Sequence, residues 1–308
     1  MGEAGAGRDR QEHLDGAAVS GDRETLAAAP VKPRDTVRWW RHVAAGLAVV
    51  WSLAPVAGLL AAALSGNAAA GGWPCRQCAS DNLSGLFSDP ARPYLSWFLN
   101  SLLSAAAAAG LVVLLGVTAA YGISRLQYRG RRIAWDGLLL LLASPAVLAV
   151  VGIYLTVDNV GEAIPQVGRN TWLGLALAYV GATLAWVVWL ITRQLQTFPG
   201  EVEDAAVLDG AGHARIFVLR LRHLGAWLAI LFGLVFGGVY GEFMLASVLL
   251  SEPDHSTLAV GLSELALGPA QLQGQFAAGA LLASLPAVLV ASASYRGANG
   301  PALLGPVR

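Results

Sequence analysis

The segment best suited to bind another protein combines carboxylates, small apolar residues and a turn. Glu203 and Asp204 supply carboxylates that can pair with basic or amide donors on a partner. Gly210 accepts a left-handed backbone, so the Asp-Gly pair before it predicts a sharp turn. We expect a docking site whose flat alanine face permits close approach. Its members are Glu203, Asp204, Ala205, Ala206, Asp209, Gly210 and Ala211.

The alternative for this segment is a plain amphipathic loop that anchors the chain to lipid headgroups. Basic residues such as Arg215 and Arg222 suit that role. The acidic cluster does not, because an anionic lipid surface repels carboxylates. Charge therefore favours docking to a protein.

One carboxylate, Glu242, lies well inside an apolar stretch. A charged group at membrane depth is costly and usually faces the bundle interior or a wet cavity. Glu242 is therefore a candidate residue of a translocation pathway. A structural pair with a partner subunit, or a position near the outer surface, remains the alternative.

Cys75 and Cys78 form a CxxC pair in CRQC. A redox motif would need a thioredoxin-like context, which the sequence lacks. A zinc site would need two more ligands, and the surrounding loop 65–96 has no His or other Cys. A small disulfide is favoured, with two free thiols as the alternative.

The composition indicates a membrane protein. Of 308 residues, 56% are hydrophobic and only 13% are charged, whereas a soluble domain carries roughly 25% charge. Six stretches are long enough to cross a bilayer as helices, and runs such as AAAAAGLVVLLG lack the alternation of barrel strands. The predicted spans are 43–64, 97–121, 137–157, 171–192, 225–250 and 273–294.

The basic residues are distributed unevenly between the two sides of these spans. With the N-terminus in the cytoplasm, 17 of the 20 Lys and Arg residues fall on the cytoplasmic side, which is a positive-inside pattern. Both termini and the loop 199–223 are therefore expected to be cytoplasmic. The first apolar run, near Val43, is too long for a signal peptide. The predicted parts are a disordered cytoplasmic tail (1–36), a membrane domain (37–295) and a cytoplasmic C-terminal tail (296–308).

Within the loop 199–223, Pro199 and Gly200 predict the end of the fourth helix. A short helix with acidic residues in its first turn should follow, because negative charge suits that end of a helix. After the turn at Gly210, a second short helix is expected from Gly212 to about His223. Pro145 and Pro286 lie inside spans and are expected to bend them.

The segment EDAAVLDGAGHARIF (203–217) resembles the EAA loop of ABC-importer permeases. Asp204-Ala205-Ala206 takes the place of Glu-Ala-Ala, and Gly210 holds the position of the family's glycine. The resemblance extends over about residues 95–295. Within that range the sequence is most similar to the maltose-type permeases. It rests also on YGISRLQYRGRR, NTWLGLALAYVGATLAWVVWLI, STLAVGLSEL and QFAAGALLASLPAVLV. The departures are Arg222-His223 in place of Leu-Pro, and Tyr240-Gly241-Glu242-Phe243 in place of Trp-Asn-Glu-Phe.

This resemblance implies an all-α, polytopic membrane protein with six transmembrane helices and the fold of type I ABC-importer permeases. It implies half of a translocation pathway for a sugar, with the loop 199–223 coupled to ATPase subunits. The implied partners are a second homologous permease, two ATPase subunits, an extracytoplasmic substrate-binding protein and membrane lipid, with no nucleic acid. The sequence has no P-loop, so no cofactor is expected in this chain. ATP and Mg²⁺ would be bound by the ATPase subunits.

Three other classes of function can be compared with the sequence, and only the first has support in it. The first is an ABC permease for another solute, such as phosphate, a polyamine or a lipid precursor. A stand-alone secondary transporter would show inverted repeats and broken helices with ion ligands, which we do not find. An intramembrane enzyme would show motifs such as HExxH or GxSxG, and these are absent from the sequence.

Overall fold

The computed structural model describes residues 38–65, 76–126 and 128–298, and within these ranges the regular structure is helical. The predicted tail 1–36 and Cys75 lie outside the described residues. The predicted all-α membrane architecture is confirmed. The helices are α1 (Arg38–Leu64), α2 (Arg76–Ser88), α3 (Tyr94–Arg125), α4 (Arg131–Ala143), α5 (Ala146–Ala163), α6 (Trp172–Leu195), α7 (Gly200–Leu208), α8 (His213–Tyr240), α9 (Met244–Leu249), α10 (Leu258–Leu267) and α11 (Gln273–Ala298).

The chain divides into two compact units, Met1–Ala54 and Pro55–Arg308, and the boundary falls within α1. In the first unit, the described residues are the beginning of α1. That part is apolar and exposed, with 83% of Trp51 accessible. The second unit contains all the candidate site residues discussed below.

By length and composition, α1, α3, α6, α8 and α11 are long and apolar enough to cross a membrane. The predicted span 137–157 is a bent pair instead of one straight helix, because α4 and α5 meet at 109°. Pro145 lacks the N–H that a continuous helix needs and pushes the preceding residue out of the helical region. Ser144 accordingly has an extended backbone, with φ −71° and ψ 137°. The described residues thus provide six spans if the bent pair crosses as one.

The predicted span 225–250 also differs from the structure at both ends. α8 begins at His213, so the expected short second helix of the loop is the start of the fifth span itself. α8 ends at Tyr240, and the separate short helix α9 follows at Met244. By contrast, α11 continues through Pro286.

Close packing of small residues holds the second unit together. Ala105, Ala108 and Ala109 of α3 are fully buried. Gly116 lies against α6, where an added Cβ would come within 2.9 Å of Val187. Small side chains let helix backbones approach closely. In lipid this close packing matters because the burial of apolar surface alone contributes little to helix association. α3, α6 and α8 form this core.

Two helices, α2 and α10, lie outside the predicted spans and pack against α3 and α11. Asn82 of α2 donates to the carbonyl oxygen atoms of Ala63 and Ser65 at 2.9 and 3.1 Å, which satisfies the end of α1. In α10, Gly261 packs directly on the indole ring of Trp97, which is only 1% exposed. The indole N–H of Trp97 donates to the carbonyl of Pro253 at 2.7 Å.

Candidate functional site

The turn after α7 has the geometry that the sequence predicts for Gly210. Gly210 has φ +77°. Its N–H donates to the carbonyl of Val207 at 2.9 Å, and the N–H of Ala211 donates to the carbonyl of Ala206 at 2.9 Å. These two bonds, with a left-handed glycine after Asp209, form a Schellman motif. The expectation of a left-handed turn at Gly210 is therefore confirmed, and it satisfies the end of a helix of nine residues.

The carboxylate of Glu203 lies where four helices converge. It pairs with the guanidinium of Arg220 on α8. The same oxygen atom lies 3.4 Å from the guanidinium of Arg125, the last residue of α3. One side chain of α7 is thus tied to two other helices.

Arg220 connects this ion pair to α6. It donates to the carbonyl of Leu195, the last residue of α6, at 3.3 Å. Its guanidinium lies 4.8 Å from the ring centroid of Phe198, a cation–π contact. Only 1% of the Arg220 side chain is exposed. A buried charge needs partners of this kind to offset its desolvation.

The carboxylate of Glu203 is bound within the chain, because α8 is continuous and brings Arg220 beneath α7. Its predicted contact with a partner protein stays a prediction. Asp204, Ala205 and Asp209 are exposed, as a docking surface requires, and Ala206 is partly buried. The docking role of this segment stays a prediction.

The structure adds an exposed apolar edge that the sequence analysis missed. Leu208 is 88% exposed, Val207 54% and Val202 45%. The sequence could have indicated this edge, because Leu208 directly precedes the Asp-Gly turn in an otherwise charged segment. A leucine this exposed on a well-held helix is suited to burial against a partner.

Glu242 occupies the break between α8 and α9. Its two carboxylate oxygen atoms accept from the N–H groups of Leu245 at 2.8 Å and Ala246 at 3.2 Å. The hydroxyl of Tyr179 on α6 donates to it at 3.1 Å. Glu242 therefore caps the start of α9, where negative charge is favourable.

Glu242 also lines a cavity of about 630 Å³ between α4, α5, α6, α8 and α9. Tyr179 and Thr183 lie in the same wall, and Trp186 is the largest aromatic side chain there. The two readings of Glu242, structural and cavity-facing, are thus both compatible with its position. Its role in translocation stays a prediction.

The remaining candidates are two cysteines and any metal ligands. Cys78 in α2 is disulfide-bonded, while Cys75 lies outside the described residues, so the pairing of the two stays a prediction. Among the residues that the structure describes, no group of three or more His, Cys, Asp or Glu side chains is placed to hold a metal ion.

The sequence matches a known family of transport proteins. Residues 113–297 match the family described as "Binding-protein-dependent transport system inner membrane component". The match covers α6, α7, α8 and the cavity.

Two similar proteins have the same name in different bacteria, "Maltose/maltodextrin transport system permease protein MalG". The one from Vibrio vulnificus (strain YJ016) is 37% identical over 228 residues, which is 74% of this chain and 77% of the relative. The one from Escherichia coli (strain K12) is 36% identical over 211 residues, or 68% of this chain and 71% of the relative.

Two solved structures share the fold. One is a bacterial ABC transporter involved in the import of the acidic polysaccharide alginate, with a TM-score of 0.59, 16% identity, and coverage of 84% of this chain and 96% of that one. The other is a bacterial alginate ABC transporter in complex with an alginate pentasaccharide-bound periplasmic protein, with a TM-score of 0.61, 14% identity, and coverage of 85% and 94%. With the family match and the extensive identity to MalG proteins, the chain belongs to the family of inner-membrane components of binding-protein-dependent transport systems.

Proposed function

We propose that this chain is the permease subunit of an ATP-binding-cassette importer for a sugar, and that it forms half of the translocation pathway. The similar proteins are named for maltose and maltodextrin transport, and the two solved structures for alginate transport. The cavity beside Glu242 supports this proposal, because it combines a carboxylate with aromatic and hydroxyl groups. Sugar hydroxyls donate to carboxylates, and sugar rings stack on aromatic side chains.

The observation that carries the coupling part of the proposal is the exposed Leu208 at the end of α7. α7 is fixed to three other helices through Glu203 and Arg220, so a force applied to it is passed to the bundle. We expect Leu208, with Asp204 and Ala205, to sit in a cleft of an ATPase subunit. Closure of two such subunits would then move α7 and α8 together.

The proposed importer also needs ATPase subunits, a second permease and a binding protein. This chain lacks a P-loop, so ATP and Mg²⁺ would be bound by two ATPase subunits. A second homologous permease would complete the pathway, and an extracytoplasmic binding protein would deliver the sugar. The positive-inside pattern predicts that both termini and α7 are cytoplasmic. Reporter fusions at Gly130 and at Gly210 should both give a cytoplasmic signal, and a periplasmic signal at either would reject this orientation.

The coupling proposal is tested by Leu208→Ser, with Leu267→Ser as a matched control. Leu267 is 89% exposed in α10, close to the value for Leu208. Burial of a leucine contributes about 1.5–3 kcal/mol, so Leu208→Ser should lower copurification of the ATPase about tenfold or more. Leu267→Ser should retain the ATPase fully. Equal retention in both variants would reject docking through α7.

The sugar proposal needs a separate measurement in the assembled importer. ATPase activity should rise when the binding protein is loaded with a maltooligosaccharide, and it should not rise with phosphate or a polyamine. Stimulation by one of those solutes alone would instead support the alternative of a non-sugar permease.

A further inference from the structure

A strongly basic cavity lies where α3 joins α4. Its volume is about 680 Å³. Four of its lining residues are arginines, and none of the lining residues carries a carboxylate. Glu203, just outside the lining, pairs with Arg125, so the other three arginines supply the positive charge that no carboxylate of the described structure offsets. The lining residues are Ile123, Ser124, Arg125, Tyr128, Arg129, Arg131, Arg132, Trp135, Thr192, Leu195 and Gln196.

Two of the four arginines are already engaged. Arg125 is near Glu203, and Arg131 donates to the carbonyl of Ser124 at 3.1 Å. Arg129 and Arg132 have no hydrogen bond or ion pair to any part of the chain that the structure describes. Their guanidinium groups are therefore available to an anion.

A buried hydroxyl in the same cavity also lacks a partner. Thr192 is 2% exposed, and its Oγ1 makes no hydrogen bond in the described structure. Buried polar groups are nearly always paired, so an orphan hydroxyl that lines a cavity points to a ligand. An oxygen atom of a phosphate group would accept from Thr192 and from the neighbouring arginines.

An apolar groove adjoins the basic cavity. It has a volume of about 620 Å³ and runs between α3, α4 and α6. Ile123 lines both spaces, so they meet at that side chain. Leu140 on the wall of the groove is 73% exposed, as expected for a surface that faces lipid. Tyr128 and Trp135 at the basic end are of the type that favours the membrane interface.

We propose that this combined site binds an anionic phospholipid. The phosphodiester group would lie between Arg129, Arg132 and Thr192, and an acyl chain would follow the groove past Ile123. A free phosphate would use the basic cavity but would leave the apolar groove empty. Basic groups at the membrane surface attract anionic lipids. This inference goes beyond the proposed function. The groove and the cavity beside Glu242 share the lining residues Leu141, Ser144, Ala149, Ala182 and Ala185, so the acyl chain would lie along the border of the proposed pathway.

The test is native mass spectrometry of the assembled importer taken from nanodiscs of phosphatidylglycerol or phosphatidylcholine. The wild type should retain phosphatidylglycerol and lose phosphatidylcholine. Arg129→Gln and Arg132→Gln should each weaken retention about fivefold, since each removes one basic group near the surface. Arg296→Gln removes an exposed charge from the end of α11, outside the cavity, and should retain lipid as the wild type does. Equal loss in Arg296→Gln would overturn the proposal.

Thr192→Val separates lipid binding from folding. It keeps the shape of the side chain but removes the orphan hydroxyl, so the lipid-free protein should unfold at the same or a higher temperature. Its retention of phosphatidylglycerol should nevertheless fall. Unchanged retention would overturn the role of Thr192 and, with unchanged retention in Arg129→Gln, the site itself.

Two other occupants are distinguished by further arms of the experiment. If inorganic phosphate in phosphatidylcholine nanodiscs stabilises the importer as fully as phosphatidylglycerol does, the ligand is a free anion and the lipid proposal is wrong. If Arg129→Gln releases the ATPase while lipid retention is unchanged, the cavity binds a protein partner. Failure of the coupling proposal would be seen separately, as retention of the ATPase by Leu208→Ser.

Discussion

The carboxylate of Glu203 on α7 binds the buried guanidinium of Arg220, 17 residues further along the chain on α8. This ion pair lies beneath the helix that carries the exposed Leu208. The surface proposed to dock a partner is therefore held in place by a contact inside the chain. Stability of the loop and binding of the partner should respond to different substitutions.

Glu203→Gln should destabilise the protein, because it leaves the charge of Arg220 buried without a counter-ion. Loss of one partner of a buried pair costs about 3 kcal/mol or more. Thermal unfolding and protease cleavage in the segment 199–212 should both show the change. Asp204→Asn is the matched control, since Asp204 is exposed and forms no ion pair within the described structure. An equal loss of stability in the two variants would contradict the role given to Glu203.

Gly210→Val should reach the membrane but support little uptake. The left-handed backbone at φ +77° is strained for a β-branched residue by about 1–2 kcal/mol or more. No atom lies within 4 Å of a Cβ added there, so the strain comes from the backbone and not from a clash with neighbours. Gly210→Asn should keep most uptake, because asparagine tolerates this conformation. Normal uptake by Gly210→Val at normal protein level would show that the turn is dispensable.

Tyr179→Phe should lower stability through Glu242. It removes a hydroxyl that donates to a partly buried carboxylate, and such bonds contribute about 1.5–3 kcal/mol. Tyr154→Phe is the control, because the hydroxyl of Tyr154 accepts from the exposed side chain of Arg169. Unfolding temperatures of the two variants measure the difference. If the two unfolding temperatures fall equally, the hydrogen bond between Tyr179 and Glu242 contributes no more to stability than the exposed bond of Tyr154.

Gly261→Ala should loosen the contact between α10 and α3. The added Cβ would lie 2.2 Å from the indole ring of Trp97, which is buried and cannot move aside freely. Overpacking of this kind costs about 1–3 kcal/mol. Gly110→Ala in α3 meets nothing within 4 Å and should be neutral or slightly stabilising. The expected result is a lower unfolding temperature in Gly261→Ala alone.

Patterns local in the sequence predicted much of this structure. Run length located the membrane helices, and Pro145 marked the place where α4 ends. The Asp-Gly pair fixed the turn at Gly210, because the preference of glycine for φ above zero is independent of tertiary context. The general position of the candidate docking segment followed from the same local signals.

Contacts between distant parts of the chain could not be predicted in this way. The pairing of Glu203 with Arg220 depends on α8 continuing unbroken past His223. The sequence predicted a helix that starts at Gly212, but it did not show that this helix is continuous with the fifth span. The bond between Tyr179 and Glu242 joins residues 63 positions apart. The packing of α10 on α3 depends on the close contact between Gly261 and Trp97. The periodicity of apolar residues along the sequence does not indicate such a contact.

α8 has 28 residues without a break, which corresponds to a rod about 42 Å long. One end begins beside the turn at Gly210, and the other ends next to Glu242. For a rod of that length, a tilt of about 5° about one end displaces the other by about 4 Å, more than the length of a hydrogen bond. A change of angle too small to repack the loop would thus be enough to open or close the far rim of the cavity.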